Sequence, residues 1–381
     1  MTYLENLVYL DNSATTTVCD KAIIEMGGAL KSDFGNPSSL HILGFNAEKR
    51  VNTARAYIAE MLFSDSGEIY FTSGGTESNN TAIFGAAYRG RKRGNKIVTT
   101  TIEHPSVSEP IRRLEEEGFD VVRIKPQSDG TISEESIFNA VDGNTILVSI
   151  MLVNNETGAI LPVRAAREAI ERAAAPALLH CDCVQAFGKT PINVKSLGAD
   201  IITASAHKIH GPKGVGFMYL KKGVGIRPLI LGGGQEKGLR SGTESVPLIC
   251  GFYGALKSIG DIKANYDRIL NLRDFAASEI IKNDIAVINS PDTAFPFVLN
   301  ISVPGYRSET MLHFLEREGV FVSSGSACAK GKGSYVLKEM GLSHDRIDSA
   351  LRISFSRYNK KDDVDRLVSA IIAAKAALRR R

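Results

Sequence analysis

The sequence predicts an α/β protein with a large domain on a mostly parallel sheet and a smaller α+β domain after it. Three observations predict this. Between about residue 65 and 222, short β-rich runs alternate with helical stretches. Several of those runs are apolar without a break, as strands buried on both faces are. After about residue 255 the alternation loosens into separate strands and amphipathic helices.

Taken in order, the strand candidates of the large domain are Glu68–Thr72, Lys96–Thr101, Asp120–Lys125, Thr145–Val153, Ala177–Cys183, Asp200–Ala204 and Gly216–Leu220, seven in all. Glu77–Arg89 and Val163–Ala174 read as helices between them. The amphipathic stretch Leu256–Ile281 reads as one connecting helix. A strand (Phe297–Val303), a helix (Glu309–Glu318), a strand (Val320–Ser323), a helix near Tyr335–Met340 and a strand (Leu351–Ser356) follow. A final helix spans Asp362–Leu378, with Val364, Leu367, Val368, Ile371 and Ile372 on one face. The expected division is 1–20 as an N-terminal segment packing with the small domain, 21–255 as the large domain and 256–381 as the small one.

Composition narrows the function. Hydrophobic residues make up 43% and charged residues 23% of 381, an ordinary globular balance. A formal net charge of +4 does not mark a nucleic-acid binder. The basic run Arg89–Lys96 reads as a solvated helix end and Arg379–Arg381 as a frayed tail. No basic and apolar leader opens the chain, and the longest apolar run, Thr145–Val153, is too short to span a bilayer. Five cysteines, an odd and sparse count, do not suggest a disulfide framework. A cytoplasmic protein without membrane or nucleic-acid partners is expected.

Three segments carry candidate chemistry. Phe71–Asn80 (FTSGGTESNN) is a strand end, a glycine turn and a helix start. Gly74, Gly75 and Thr76 there can cradle an anion on free N–H groups. An ordinary capped helix after a glycine turn reads the same way. The segment is neither a Walker A loop nor a dinucleotide fingerprint. His180–Gln185 (HCDCVQ) ends a buried strand and puts Cys181 and Cys183 on one face and Asp182 on the other. A carboxylate there needs a cationic partner, either a protonated heterocycle or an Arg or Lys. C-x-C without a second pair at zinc spacing is a weak metal signal, so no resident metal is expected. Thr203–Gly214 (TASAHKIHGPKG) places Lys208 at the C-terminal end of a strand, where α/β sheets bind ligands. A lysine desolvated there can do Schiff-base chemistry. A phosphate cradle, a buried Asp and a downstream Lys together suit pyridoxal phosphate (PLP).

The chain resembles the cysteine desulfurases, PLP enzymes of the class V aminotransferase group, nearly end to end. The matching segments are Leu10–Thr16, Phe34–Ser38, Thr72–Ser78, Glu103–His104, Val153–Gly158, Asp182–Gln185, Ser205–Lys208, Gly232–Glu236, Arg240–Thr243, Ser323–Cys328 and Leu351–Ser356. The resemblance implies a fold-type-I PLP transferase that turns L-cysteine into L-alanine and leaves a persulfide on Cys328. It implies that Lys208 holds the cofactor covalently, Asp182 pairs with its ring nitrogen, and His104 stacks on the ring and shuttles a proton. Asn155 and Gln185 would bond the ring oxygen, and Gly75, Thr76, Ser205 and His207 the phosphate. Thr243 would reach the phosphate of a partner subunit in a homodimer. Asn36 and Arg352 would clamp the substrate carboxylate, a task suited to the arginine fork.

Lys330 and Lys332 would favour the Cys328 thiolate, and flanking glycines predict mobility. The implied partner is a protein sulfur acceptor, such as an iron–sulfur scaffold or a thiolation enzyme, and Cys328 would touch an iron–sulfur centre at most transiently. The rival readings are a selenocysteine lyase, a related aminotransferase, or a non-catalytic assembly platform. Cys183 stands where the family pattern leads one to expect Ala. The loop after Cys328 is shorter than in long-loop members and the chain ends soon after its last helix, both of which bear on reach and acceptor docking.

Overall fold

The computed structural model describes residues 7–324 and 333–380. Cys328, Lys330 and Lys332 lie outside the described residues, as does Arg381. The strands are β1 (Val8–Tyr9), β2 (Ile69–Thr72), β3 (Lys96–Thr100), β4 (Asp120–Ile124), β5 (Thr145–Met151), β6 (Leu178–Asp182), β7 (Ile201–Ser205), β8 (Gly216–Leu220), β9 (Val287–Ile288), β10 (Val298–Ser302), β11 (Val320–Phe321) and β12 (Ala350–Ser354).

All seven expected strands of the alternating region join one sheet, in the order β2-β8-β7-β6-β5-β3-β4. The pairs β7–β6, β6–β5, β5–β3 and β3–β4 are parallel, and β8 runs against both its neighbours. Every residue of β5, β7 and β8 is buried. That burial explains their unbroken apolar runs, since helices cover both faces of the sheet. The parallel strands all end at one edge, where Asp182 closes β6 and the loops that leave it carry Gly74, His104, Asn155 and Lys208.

The later elements form smaller sheets. β10 pairs antiparallel with both β12 and β9. β1 pairs in parallel with β11, and a bridge joins Asp11 to Ser354 beside β12. Residues 8–11 are therefore woven into the part of the fold that holds residues 320–354.

Two expectations need correction. Leu256–Ile281 is not one helix: Val246–Lys257 and Ile262–Lys282 are separate. Gly260 breaks the run with φ at +70°, and the Asp261 side chain caps the second helix by accepting from the Ala264 N–H. Ile372 does not share the buried face of the helix Lys361–Ala377, being 43% exposed while Val364, Leu367 and Ile371 are fully buried. At about 100° per residue it stands about 80° from Val364, on the rim of the stripe. No helix among the described residues is long and apolar enough to cross a membrane.

Candidate active site

A cavity of about 420 Å³ opens at the strand-end edge of the large sheet. Gly75, Thr76, His104, Asn155, Asp182, Gln185, Ser205, His207, Lys208 and Arg352 all line it.

One end is a small-residue cradle. β2 runs into the turn at Ser73-Gly74, and the helix Gly75–Gly90 begins there. A Cβ on Gly75 would stand 2.8 Å from Val184 Cγ2 and 3.8 Å from Ser205 Cβ, so only glycine lets the helix start lie this close. Glu77 anchors the turn by accepting from the Ser73 N–H at 3.0 Å and from Arg240 Nε at 2.8 Å. His207 borders the cradle, and burial with nearby lysines holds its imidazole down to about 3, hence neutral.

The floor carries a polar network. Asp182 Oδ1 accepts from the Val184 N–H at 2.9 Å, and Oδ2 from Asn79 Nδ2 at 2.8 Å. Asn79 Nδ2 also lies 2.8 Å from Ser106 Oγ, and Asn79 Oδ1 accepts from Thr203 Oγ1 at 2.5 Å. Ser106 Oγ stands 2.8 Å from His104 Nδ1, and the Ser106 N–H donates to that nitrogen at 3.1 Å. Burial lowers the affinity of His104 for a proton. Asp182 works against that, and the positive charges of Lys208 and Arg352 work with it.

Lys208 Nζ donates to the carbonyls of Ser13 at 2.6 Å and Ala14 at 2.8 Å. Gln185 Nε2 donates to the same Ser13 carbonyl at 3.0 Å, and its Oε1 accepts from Lys189 Nζ at 3.3 Å. Lys189 is buried, and burial, with Lys208 and Arg352 nearby, pulls its amine down to about 7.

At the other end, Arg352 on β12 donates from Nη2 to Asp11 Oδ1 at 2.9 Å and from Nη1 to the Asn155 carbonyl at 3.2 Å. Arg352 Nε and Asn155 Oδ1 are buried and lack a hydrogen-bond partner among the described residues. Glu156 accepts from Ser334 Oγ, and burial pushes its carboxyl up to about 7. Glu103 beneath the site is pushed by burial up to about 8, although Thr100 Oγ1 and the Met151 N–H hydrogen-bond it.

Two expected residues lie away from this cavity. Asn36 is exposed and accepts from the Ser38 N–H at 2.9 Å, and Thr243 is exposed in the loop before the helix Val246–Lys257. Cys181 and Cys183 do share a face, with sulfurs 3.5 Å apart, both buried. Sequence reading missed Asn79, Ser106, Glu156, Lys189 and the two carbonyls that hold Lys208. Asn79 had a readable signal: it lies four residues after Gly75, on the same helix face.

The family model of class V aminotransferases ("Aminotransferase class-V") matches residues 8–367. A "Cysteine desulfurase IscS 1" from Archaeoglobus fulgidus is 37% identical over 367 residues, covering 95% of each chain. The chain belongs to the cysteine desulfurases. Two solved structures agree with this desulfurase in fold. A "NifS-like protein" superposes with a TM-score of 0.92 at 38% identity, covering 98% of this chain and all of the other. "SspA in complex with cysteine" gives 0.82 at 32%, covering 92% and 99%. Family membership makes the desulfurase a PLP enzyme acting on cysteine. The residues present fit that cofactor. A glycine cradle that a Cβ would fill, the Asp182 carboxylate, the unpartnered Asn155 Oδ1 and the Lys208 amine face one cavity.

Proposed function

We propose that this cysteine desulfurase binds PLP and L-cysteine in the cavity at the strand ends and leaves the sulfur as a persulfide on Cys328. The observation that carries the reading is the meeting of Asp182, Lys208, the Gly75 cradle and Arg352 around one space.

Gly75, Thr76, Ser205 and His207 would hold the cofactor phosphate, Asp182 its ring nitrogen, Asn155 and Gln185 its ring oxygen, and Lys208 its aldehyde carbon. When bound, PLP withdraws electrons from the bonds at the substrate α-carbon. The Arg352 fork, braced by Asp11, takes the substrate carboxylate. Lys208 Nζ moves the α-proton, and the His104 ring shuttles a proton beside it. The Cys328 sulfur attacks the substrate sulfur: an S–S bond forms and the substrate C–S bond breaks. A proton equivalent to that of the Cys328 thiol ends on the new methyl group. Cysteine plus thiol thus equals alanine plus persulfide, with no outside oxidant.

The same reading takes a homodimer as the working form. Phe34, Leu40, Ile42 and Phe45 are exposed apolar side chains beside Asn36, and Leu231 is exposed near Thr243. Packing these faces against a second copy would bury them and bring Asn36 and Thr243 to a neighbouring site. The persulfide would pass to a thiol-bearing protein in the cytoplasm, such as an iron–sulfur scaffold or a thiolation enzyme.

Incubation with L-cysteine should yield alanine, with matching sulfide in the presence of a reductant. Lys208→Ala should lose the visible absorbance of the bound cofactor. Cys328→Ala should keep that absorbance and lose alanine formation. Full-rate desulfuration by Cys328→Ala would overturn the role of this thiol, and a strong preference for selenocysteine would move the reading to a lyase.

A further inference from the structure

We propose that Asn79 and Ser106 are positioning residues that fix His104 as the neutral imidazole with its proton on Nε2, and that link this choice to Asp182. The proposal deepens the reading above and rests on it for the role of His104.

Donor and acceptor roles at each atom leave one consistent arrangement. The backbone N–H of Ser106 can only donate, and it points at His104 Nδ1 from 3.1 Å. That contact biases the neutral ring toward a lone pair on Nδ1 and a proton on Nε2, but at 3.1 Å the backbone does not hold the choice alone. The Ser106 hydroxyl lies closer, 2.8 Å from the same Nδ1, and shares that one lone pair as the second donor, which makes it the side chain that fixes the tautomer. It is free to do so because its own oxygen accepts from Asn79 Nδ2 at 2.8 Å.

Asn79 is itself fixed at every polar atom. Its Nδ2 has two hydrogens, one for Ser106 Oγ and one for Asp182 Oδ2. Its Oδ1 accepts from Thr203 Oγ1 on β7. A flipped amide would turn its oxygen toward the Asp182 carboxylate, two acceptors face to face, so the flip is disfavoured. Asn79, Ser106 and Thr203 are all buried, where an unmade hydrogen bond costs most.

Position adds to this. His104 caps the N-terminus of the helix Pro105–Glu116, whose dipole opposes a positive ring. Lys208 and Arg352 oppose it too, while Asp182 favours it. The ring thus meets the cavity with an N–H at Nε2. One asparagine holds both the carboxylate of Asp182 and the tautomer of His104.

The test is side-chain nitrogen NMR on histidine-15N-labelled holoenzyme, with the His104 signals assigned by their absence in His104→Gln. The wild type should show a protonated Nε2 and an unprotonated Nδ1. Ser106→Ala should move both shifts toward tautomer-averaged values, and Ser106→Thr should restore them. Asn79→Ala, which leaves Ser106 in place, should shift them in the same direction and serves if Ser106→Ala does not fold. Alanine formation should fall about tenfold in Ser106→Ala, the scale of one lost hydrogen bond. In a His104→Gln background it should fall no further. A wild-type ring protonated at Nδ1, unchanged shifts in both variants, or an equal further loss in the His104→Gln background would each overturn the proposal. The NMR readout holds whichever substrate the enzyme prefers, so its failure is distinct from a failure of the desulfurase mechanism.

Discussion

Lys189 shows what a single buried charge does here. Among the described residues its amine has only the Gln185 Oε1 contact at 3.3 Å and the ring of Phe297 at 5.6 Å to offset lost water. Burial therefore brings its titration from the ordinary 10.5 to about 7. Between those values the unfolded chain holds a proton that the folded chain does not, so this residue makes stability rise with pH across that window. Below pH 7 the charged amine is buried at full cost, on the order of 5 kcal/mol at about 1.4 kcal/mol per pH unit. Lys189→Met should raise the urea midpoint at pH 7, and its advantage over the wild type should shrink as pH climbs toward 10.5. An advantage that stays constant with pH would mean the gain comes from packing alone. The sequence displayed Asp182, Lys208, His104 and Arg352 because each sits in a short motif. It did not display Lys189 or Glu156, whose character comes from the atoms that bury them rather than from their neighbours in the chain. Gln185 was legible as a cavity residue, but its bonds to Ser13 and Lys189 were not, since their partners come from distant segments.

At the scale of elements, close approach of backbone decides how the helices sit. A Cβ on Gly254 would stand 2.4 Å from the Lys21 carbonyl oxygen and 2.8 Å from Ala22 Cα. The helices Asp20–Ser32 and Val246–Lys257 thus cross with no room for a side chain. Gly254→Val should push them apart and lower stability by about 1–3 kcal/mol, the usual cost of overpacking. Urea unfolding should show a lower midpoint with an unchanged slope. The central strands of the large sheet were legible because burial on both faces leaves short apolar runs alternating with helical stretches. The break at Gly260 was also legible in principle, since a glycine followed by Asp261 is an ordinary stop-and-start signal. Amphipathic periodicity on both sides masked it. The second helix resumes with its apolar face toward the same core, so Ile269, Leu272, Ala276 and Ile280 are buried.

For the whole molecule, the exposed apolar side chains mark a face built to be covered. Phe34, Leu40, Ile42 and Phe45 lie within one short stretch, and Pro37 and Ser38 share a cavity lining with Gly234 and Gln235, from the segment that also carries the exposed Leu231. A lone chain gains nothing from showing such a face to water. Phe34→Asp with Leu40→Asp should halve the sedimenting mass if a second copy covers it, whereas an unchanged mass would leave this face to another partner. The roles proposed for Asn36 and Thr243 rest on the resemblance alone, because nothing among the described residues draws them to the cavity.

The pairing of β1 with β11 has a consequence for how the enzyme is made. Ser13 and Ala14 hold the Lys208 amine, yet β1 before them pairs with Val320 and Phe321, and Asp11 bridges to Ser354. On a ribosome those early residues emerge long before the strands they pair with. They must wait, unpaired, while the large sheet assembles beside them. The cavity is then completed late, as one closing event that joins residues 8–11 to residues 320–354, and a chain stalled before β12 would hold a finished large sheet and an incomplete cavity.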